Sequence, residues 1–297
     1  MSKFFWAAAA AWLVVGTAWA QGSDADAGEA PVSAAWQAAA TAMQHGPTDI
    51  PLVDQAVMHL PAGYGFVPRR EAAAVMDELG NRIGDSFIGL VFPSPANDKN
   101  WFATLNFTDE GHIKDDDAKN WDQKALYDNL RDGTEAGNEF RKKRGITPIE
   151  LTGWVEAPHY DATAHRLIWS VGAKDKGAAD DGTDSVNYNT YVLGREGYIA
   201  LDFITSKQTI EAQKPEAQTL LAAIDFKTGR RYEDFMASTD RLAAYGIAAL
   251  VGGAVLKKAG LLAVIGAFIL KFAKVILLAA AGVFTPLYRK FFKRKTE

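Results

Sequence analysis

A long apolar segment near the C-terminus limits what this chain can fold into more than any other feature. Residues Leu242 to Tyr288 are mostly Ala, Gly, Leu, Ile, Val and Phe, and a basic cluster follows from Arg289 to Lys295. A helix of about 20 apolar residues crosses the hydrocarbon core of a bilayer. The sequence therefore predicts a C-terminal hydrophobic helical membrane segment, preceded by a domain in water.

Charges in and after this segment indicate how it would meet a membrane. The charges expected at the membrane are Lys257, Lys258, Lys271, Lys274, Arg289, Lys290, Lys293, Arg294 and Lys295. Because basic ends stay in the cytoplasm, we favour one crossing within Leu261–Tyr288, with Leu242–Leu256 lying in the interface or packed on the span. Two spans, Leu242–Leu256 and Ala259–Phe284, are the alternative. The lysines either extend towards anionic headgroups or line the inside of an oligomer.

The first twenty residues have the pattern of a secretory signal peptide. Lys3 precedes an apolar run from Phe4 to Val15, and Ala18-Trp19-Ala20 supplies small residues around a cleavage site. Such a leader exports the chain, so we expect the main domain to be periplasmic and the protein to reside at the inner (cytoplasmic) membrane.

Between its two ends, the sequence predicts an α+β domain. Residues 1–20 are the signal peptide, 21–45 a flexible leader, 46–231 the extracytoplasmic domain, 232–288 the pre-membrane and transmembrane helical region, and 289–297 a basic cytoplasmic tail. Alternating apolar residues predict antiparallel strands at Glu150–Glu156, Arg166–Ala173, Val186–Leu193 and Gly197–Ile204. A helix at Trp121–Lys143 is among those expected to pack on this sheet. The predicted fold class is thus an antiparallel sheet with packed helices, followed by the membrane segment.

Charge and cysteine content exclude several classes of function. Residues 21–238 carry twenty-one Lys/Arg against thirty-four Asp/Glu, whereas residues 239–297 carry ten against two. An acidic folded part argues against nucleic acid as a partner, because phosphate binding requires a basic face. The absence of cysteine excludes disulfides, thiol catalysis and thiolate metal ligands.

One acidic cluster contains the strongest candidates for metal binding. Asp115, Asp116, Asp117 and His112 surround a predicted hairpin end, and hard cations such as Ca²⁺ require several oxygen ligands together. The spacing is not that of an EF-hand loop, and three consecutive Asp residues cannot all point at one ion. A solvated turn that caps the following helix is the alternative.

Other reactive residues form no recognisable motif. No histidine pair has the H-E-x-x-H spacing, and neither a nucleophile elbow nor a Walker or Rossmann glycine pattern is present. We therefore predict no catalytic residue and no cofactor. The basic run Arg141–Arg144 either balances a helix dipole or serves as a docking patch for an acidic partner.

Three short motifs carry a resemblance to a known family. They are Gly111–Ala118 (GHIKDDDA), Gly229–Phe235 (GRRYEDF), and Asp240 with Ala244-Tyr245-Gly246. Together they resemble the bacterial predicted membrane-anchored proteins of domain-of-unknown-function family 2167. The resemblance implies a Gram-negative envelope protein with a signal peptide and an extracytoplasmic domain, and it brings no activity or site residue.

These features favour a non-enzymatic binding or envelope-maintenance module, with membrane lipids and an envelope protein as expected partners. Two alternatives stay open. The chain could be a hydrolase or a metal-dependent enzyme that uses the acidic cluster, or its C-terminal helices could form an oligomeric membrane assembly.

Overall fold

An antiparallel sheet of eight strands organises the fold. The computed structural model describes residues 33–252 except 79–82, 95–98, 120, 144 and 180–183. The spatial order of the strands is β1 (Gln44–His45), β4 (Tyr64–Pro68), β5 (Phe87–Pro93), β6 (Phe102–Thr108), β11 (Tyr198–Ser206), β10 (Ser185–Leu193), β9 (Arg166–Asp175) and β8 (Ile149–Asp161).

Two smaller sheets and five helices complete the described part. One small sheet contains β12 (Ile224–Phe226), β3 (Ala56–Leu60) and β2 (Thr48–Leu52), and the other pairs β13 (Leu242–Gly246) with β7 (His112–Lys114). The helices are α1 (Ala34–Ala42), α2 (Arg69–Glu78), α3 (Gln123–Lys143), α4 (Ile210–Ala222) and α5 (Ala248–Gly252). Single 3₁₀ turns lie at Asp116–Lys119 and Tyr232–Asp234.

The four strands expected after residue 149 are confirmed as β8 to β11, and they pair in sequence as a meander. Buried residues lie on both faces of β9, β10 and β11, as a sheet covered on both sides requires. In this register Asp202 lies opposite Thr104 on one side and Asn189 on the other. These three side chains therefore share one face, here called the first face.

Helices cover both faces of the sheet. On the first face, Trp36 of α1 packs edge-on against Phe92, which in turn contacts Phe102. Further along that face, Leu126 of α3 joins a hydrophobic cluster with Leu167, Trp169 and Val171. The second face is covered by α4, whose Glu216 accepts a hydrogen bond from Trp101 Nε1 at 2.9 Å.

The predicted fold class was wrong. The structure is mostly antiparallel sheet with a few helices, and within residues 33–252 no helix is long and apolar enough to cross a membrane. Leu242–Gly246, expected to begin the hydrophobic helical region, is a strand that pairs in parallel with β7. The physical reason is that the apolar residues just after this strand pack against the domain. Ile247 and Val251 are fully buried in the hydrophobic cluster that contains Trp169.

Several predictions lie outside the described residues. They are the signal peptide, the crossing at Leu261–Tyr288, and all nine membrane-anchor charges from Lys257 to Lys295.

Candidate functional site

The three motifs that carry the family resemblance meet at one end of the sheet. His112 N donates to the Arg241 carbonyl at 2.8 Å, which places β7 beside β13. Tyr232, from the Gly229–Phe235 motif, donates its hydroxyl to the Ile113 carbonyl at 2.8 Å. The structure thus joins segments that are more than a hundred residues apart in the sequence.

Aromatic stacking fixes the centre of this group, which we call the motif cluster (His112, Asp115, Tyr160, His165, Tyr232 and Phe235). The His112 ring lies between those of Tyr232 and Phe235, with centroid distances of 4.2 and 4.1 Å. Tyr232 also stacks on His165 at 4.1 Å. Burial lowers the pKa of His112, so this histidine is held neutral within the stack.

Asp115 joins the motif cluster through a tyrosine. Tyr160 Oη donates to Asp115 Oδ2 at 2.8 Å and lies 3.0 Å from His165 Nδ1, which is itself 4.0 Å from that oxygen. Burial, and then the hydrogen bond to Asp115, raises the pKa of Tyr160, so the phenol keeps the proton that it donates. The neutral Tyr160 phenol thus orients the side chain of Asp115 through a hydrogen bond.

The other candidate cation ligands point elsewhere. Asp117 Oδ2 accepts from Ala248 N at 3.3 Å, at the start of α5, and Asp116 is exposed in its 3₁₀ turn. Among the residues that the structure describes, no three His, Asp or Glu side chains lie close enough together to hold a metal ion. His112 and the three aspartates thus lie near one another in sequence while their side chains take part in different contacts.

A bidentate ion pair fixes the segment that leads into β13. Arg195 Nε and Nη2 donate to the two carboxylate oxygens of Asp240 at 2.7 and 2.8 Å. Hydrogen bonds from Arg195 and from the Met236 amide hold the pKa of Asp240 far below its ordinary value. The acid of the third motif therefore has a structural role, as Asp117 does.

A second polar group, which no motif marked, lies on the first face of the sheet. This polar row consists of Thr104, Asp202, Asn189 and Asn187, on the three adjacent strands β6, β11 and β10. It runs between the aromatic side chains beneath α1 and Trp169 beneath α3, since Phe102 precedes Thr104 on the same face and Trp169 lies opposite Asn189. Thr104, Asn187 and Asn189 are all buried.

Hydrogen bonds within the polar row leave two acceptors free. Asn187 Nδ2 donates to Asn189 Oδ1 at 2.9 Å, Asn189 Nδ2 donates to the Asn187 carbonyl at 3.2 Å, and Thr104 Oγ1 donates to Asp202 Oδ2 at 3.4 Å. Asp202 Oδ1 and Asn187 Oδ1 are enclosed with no donor among the described residues. An enclosed polar atom without a partner costs about 1–3 kcal/mol, so this pair is an exception that requires an explanation.

Burial also changes the acidity of the polar row. It raises the pKa of Asp202 to about 7, and the Thr104 hydrogen bond offsets only part of that rise. Although Asp202 keeps some accessible surface, its Oδ1 is enclosed. Burial outweighs the one hydrogen bond from Thr104, because a carboxylate with an enclosed oxygen that accepts no hydrogen bond is poorly solvated. Near neutral pH, Asp202 is therefore present in both its protonated and its ionised form, and no described residue donates a hydrogen bond to its Oδ1.

The sequence shows polar residues within apolar strands at the positions of the polar row, but it does not show which strands lie next to each other. Asp202 interrupts the apolar run Tyr198–Ile204, and Asn187 and Asn189 occupy alternate positions of β10 on either side of Tyr188. Strand alternation predicts that such residues share a face. It does not predict that β10 and β11 place them side by side in register.

Comparison with known proteins gives a family match. A family model described as "Protein of unknown function (DUF2167)" matches residues 44–281. No curated protein matches the chain. Among solved structures, the cyanobacterial PsbP protein (CyanoP) of Synechocystis sp. PCC 6803 is similar with a TM-score of 0.37 and 11% sequence identity, over 70% of this chain and 99% of that one. A similarity at that level carries no argument about function.

Proposed function

We propose that this chain, which belongs to the protein family of unknown function DUF2167, is a non-enzymatic binding module of a bacterial cell envelope. Its ligand contacts the polar row. The three family motifs, in contrast, hold the fold together, because their aspartates Asp115, Asp117 and Asp240 each accept hydrogen bonds from other segments of the described chain.

One observation carries the proposal: Asp202 Oδ1 and Asn187 Oδ1 are enclosed on the same face, and no described residue donates a hydrogen bond to either oxygen. Their strands are adjacent, and Asn187 is one diagonal step from Asp202, a separation of about 7–8 Å between Cα atoms. A ligand that donates hydrogen bonds to both oxygens would remove the cost of leaving them unpaired.

The ligand class follows from the surroundings of these acceptors. A carboxylate and an amide oxygen favour a donor that carries positive charge, and aromatic rings attract such a cation. Trp169 lies directly opposite Asn189, and Tyr191 packs edge-on against Trp169 at 6.5 Å. The proposed ligand therefore presents an ammonium group.

Calorimetric titration of the full-length chain with ethanolamine at pH 8 tests this function, with glucose as the neutral donor. We expect saturable binding of ethanolamine. Asp202→Asn should remove it, because the amide keeps the shape of the side chain and loses its charge. Asn187→Ala should weaken it by about tenfold, the equivalent of one hydrogen bond of 1.4 kcal/mol.

The matched control is Asp85→Asn, which neutralises an exposed aspartate outside the polar row. It should bind ethanolamine as the unaltered chain does. Binding of glucose in place of ethanolamine would show a binding module with a different ligand class. If neither compound binds, or if Asp202→Asn binds ethanolamine normally, the polar row is not the ligand site.

The envelope location is a further part of the proposal. It is supported by the leader pattern around Lys3 and Ala18-Trp19-Ala20 and by the basic residues Arg289–Lys295, which suit anionic headgroups of the inner membrane. An envelope protein or lipid is then the natural source of the ammonium group.

Cysteine labelling tests the location, because the chain has no cysteine of its own. Thr228 is exposed, so Thr228→Cys should react with a membrane-impermeant maleimide in Gram-negative cells whose outer membrane has been permeabilised. The same variant without residues 2–20 should remain unlabelled until the cells are lysed. Labelling that requires lysis in both chains would place the domain in the cytoplasm.

A further inference from the structure

Arg141 is a buried cation without a counter-ion in the described structure. It lies in the last turn of α3 and is only 1% exposed. Its Nη1 donates to Asn138 Oδ1 at 3.2 Å, but Nε and Nη2 are enclosed with no acceptor among the described residues. Burial of an unpaired charge costs several kcal/mol, so the position of Arg141 requires an explanation.

The two unpaired nitrogens form one side of the guanidinium. Nε–H and Nη2–H are parallel donors, and this planar pair matches two oxygens of one carboxylate or phosphate group. Asn138 fixes the other side of the plane, because it also binds the Ile149 amide and carbonyl at 2.9 and 2.8 Å. The free edge of the guanidinium is therefore held in a defined orientation.

Acidic groups nearby are already engaged. Glu135 accepts from Lys176 Nζ at 2.8 Å and from Asn138 Nδ2 at 3.0 Å. Glu139 pairs with Lys142 at 2.7 Å. The C-terminal end of α3 favours a cation, but none of the described carbonyls accepts from Nε or Nη2. Burial accordingly lowers the pKa of Arg141 to about 10.

We propose that Arg141 is the anchor of a second site, for a small oxyanion whose carboxylate or phosphate group accepts from Nε and Nη2 together. Lys142 and Lys143 follow it in the chain and add positive potential at the same helix end. The site lies where α3 meets β8 and takes a ligand of opposite charge to that of the polar row, so it does not depend on the function proposed above.

Thermal unfolding of the full-length chain tests this site, with sodium acetate, sodium phosphate and sodium chloride compared at constant ionic strength. An anion that binds only the folded state raises Tm as its concentration increases. We expect a rise of about 2–4 °C over chloride. A response to acetate alone indicates a carboxylate ligand, and a larger response to phosphate indicates a phosphate.

Arg141→Met should abolish the response and should itself be at least as stable as the unaltered chain in chloride. Arg141→Lys keeps the charge but loses the paired donors, so it should lose most of the response. The matched control is Arg131→Met, at an exposed position of α3, which should respond fully. The proposal is overturned by an Arg141→Met chain that responds normally, by an Arg131→Met chain that does not, or by an unaltered chain indifferent to both anions.

Nuclear magnetic resonance of the unaltered chain gives a readout that does not depend on folding of the variants. An enclosed Nε–H exchanges slowly with water, so Arg141 should give a protected arginine Hε signal. That signal should shift as acetate or phosphate is added. Protected arginine signals that stay fixed at saturating anion would contradict the site.

Discussion

Single residues that break the ordinary rules of burial are the most informative part of this protein. Asp202 and Arg141 are charged groups in enclosed positions, and each has hydrogen-bonding atoms without partners among the described residues. Native proteins pair nearly all such atoms, so each exception requires an explanation. Both proposals follow from these two side chains.

The pH dependence of stability should identify Asp202. Its pKa rises from an ordinary value of 3.8 to about 7 on folding, so the folded state binds the proton more tightly. Stability from this group is therefore full below about pH 4 and is lost as pH rises through 7. Asp202→Asn should stabilise the unliganded chain at pH 8 by about 1–3 kcal/mol and by much less at pH 5, as measured by urea unfolding.

Other groups that face Asp202 do not titrate in this window. Tyr191 lies on β10 and Tyr198 on the same strand as Asp202, and burial raises the pKa of both phenols, that of Tyr198 to about 12. Glu110 interacts electrostatically with Tyr198, and Tyr245 with Tyr191. The Asp85→Asn control should change stability equally at the two pH values. A stabilisation by Asp202→Asn that is the same at pH 5 and pH 8 would contradict the raised pKa.

Among the elements, the parallel pair β7–β13 joins the end of the described chain to a segment about 130 residues earlier. Gly111 precedes β7 with φ +86°, a conformation that glycine adopts without cost. A Cβ at this position would lie 2.5 Å from the Arg241 carbonyl oxygen, which accepts from His112 N. The first residue of the Gly111–Ala118 motif is thus required by backbone geometry.

Gly111→Ala should destabilise the chain by about 1–3 kcal/mol, since it adds backbone strain and a clash with a carbonyl group. Hydrogen exchange of the His112 amide should accelerate, because its bond to Arg241 is the one displaced. The control is Gly84→Ala, where the nearest atom to the added Cβ is Ser86 Oγ at 3.9 Å. Equal urea midpoints for the two variants would show that β13 adapts freely.

At the scale of the whole molecule, the start of the apolar C-terminal segment belongs to the core of the domain. Ile247 and Val251 are fully buried, in a cluster that also contains Leu126 of α3 and Trp169 of β9. Tyr245 and Leu250 pack against the same cluster. This hydrophobic cluster is therefore complete only when residues after 241 are packed in it.

Two truncated chains test this dependence. A chain of residues 33–252 should unfold cooperatively in urea and retain its near-ultraviolet circular dichroism. A chain of residues 33–241 should lose at least 3 kcal/mol, on the order of the cost of two deleted core side chains at about 1.5–3 kcal/mol each. Equal stability of the two fragments would mean that β13 and α5 contribute nothing to the fold.

Local sequence pattern predicted the central strands well and the C-terminal segment badly. β-Branched and aromatic residues marked β8 to β11, because such side chains pack well on the surface of a pleated sheet. Apolar content at Leu242–Val251 could not distinguish a membrane segment from a segment of the protein core, since both environments favour apolar residues. His112, Asp115 and Asp117 were recognised as neighbours in sequence, but their contacts with Tyr232, Tyr160 and Ala248 are made across the fold.

The sequence by itself determined the acidic character of the domain, the absence of thiol chemistry, the family motifs and the existence of an antiparallel meander. Each of these depends on composition or on contacts between near neighbours in the chain. Only the tertiary structure placed Asp202 beside Asn189, enclosed Arg141 and paired β13 with β7. Those features depend on strand register and on packing between distant segments. Whether a charged side chain is buried is decided by the segments that pack around it, and not by the type of residue.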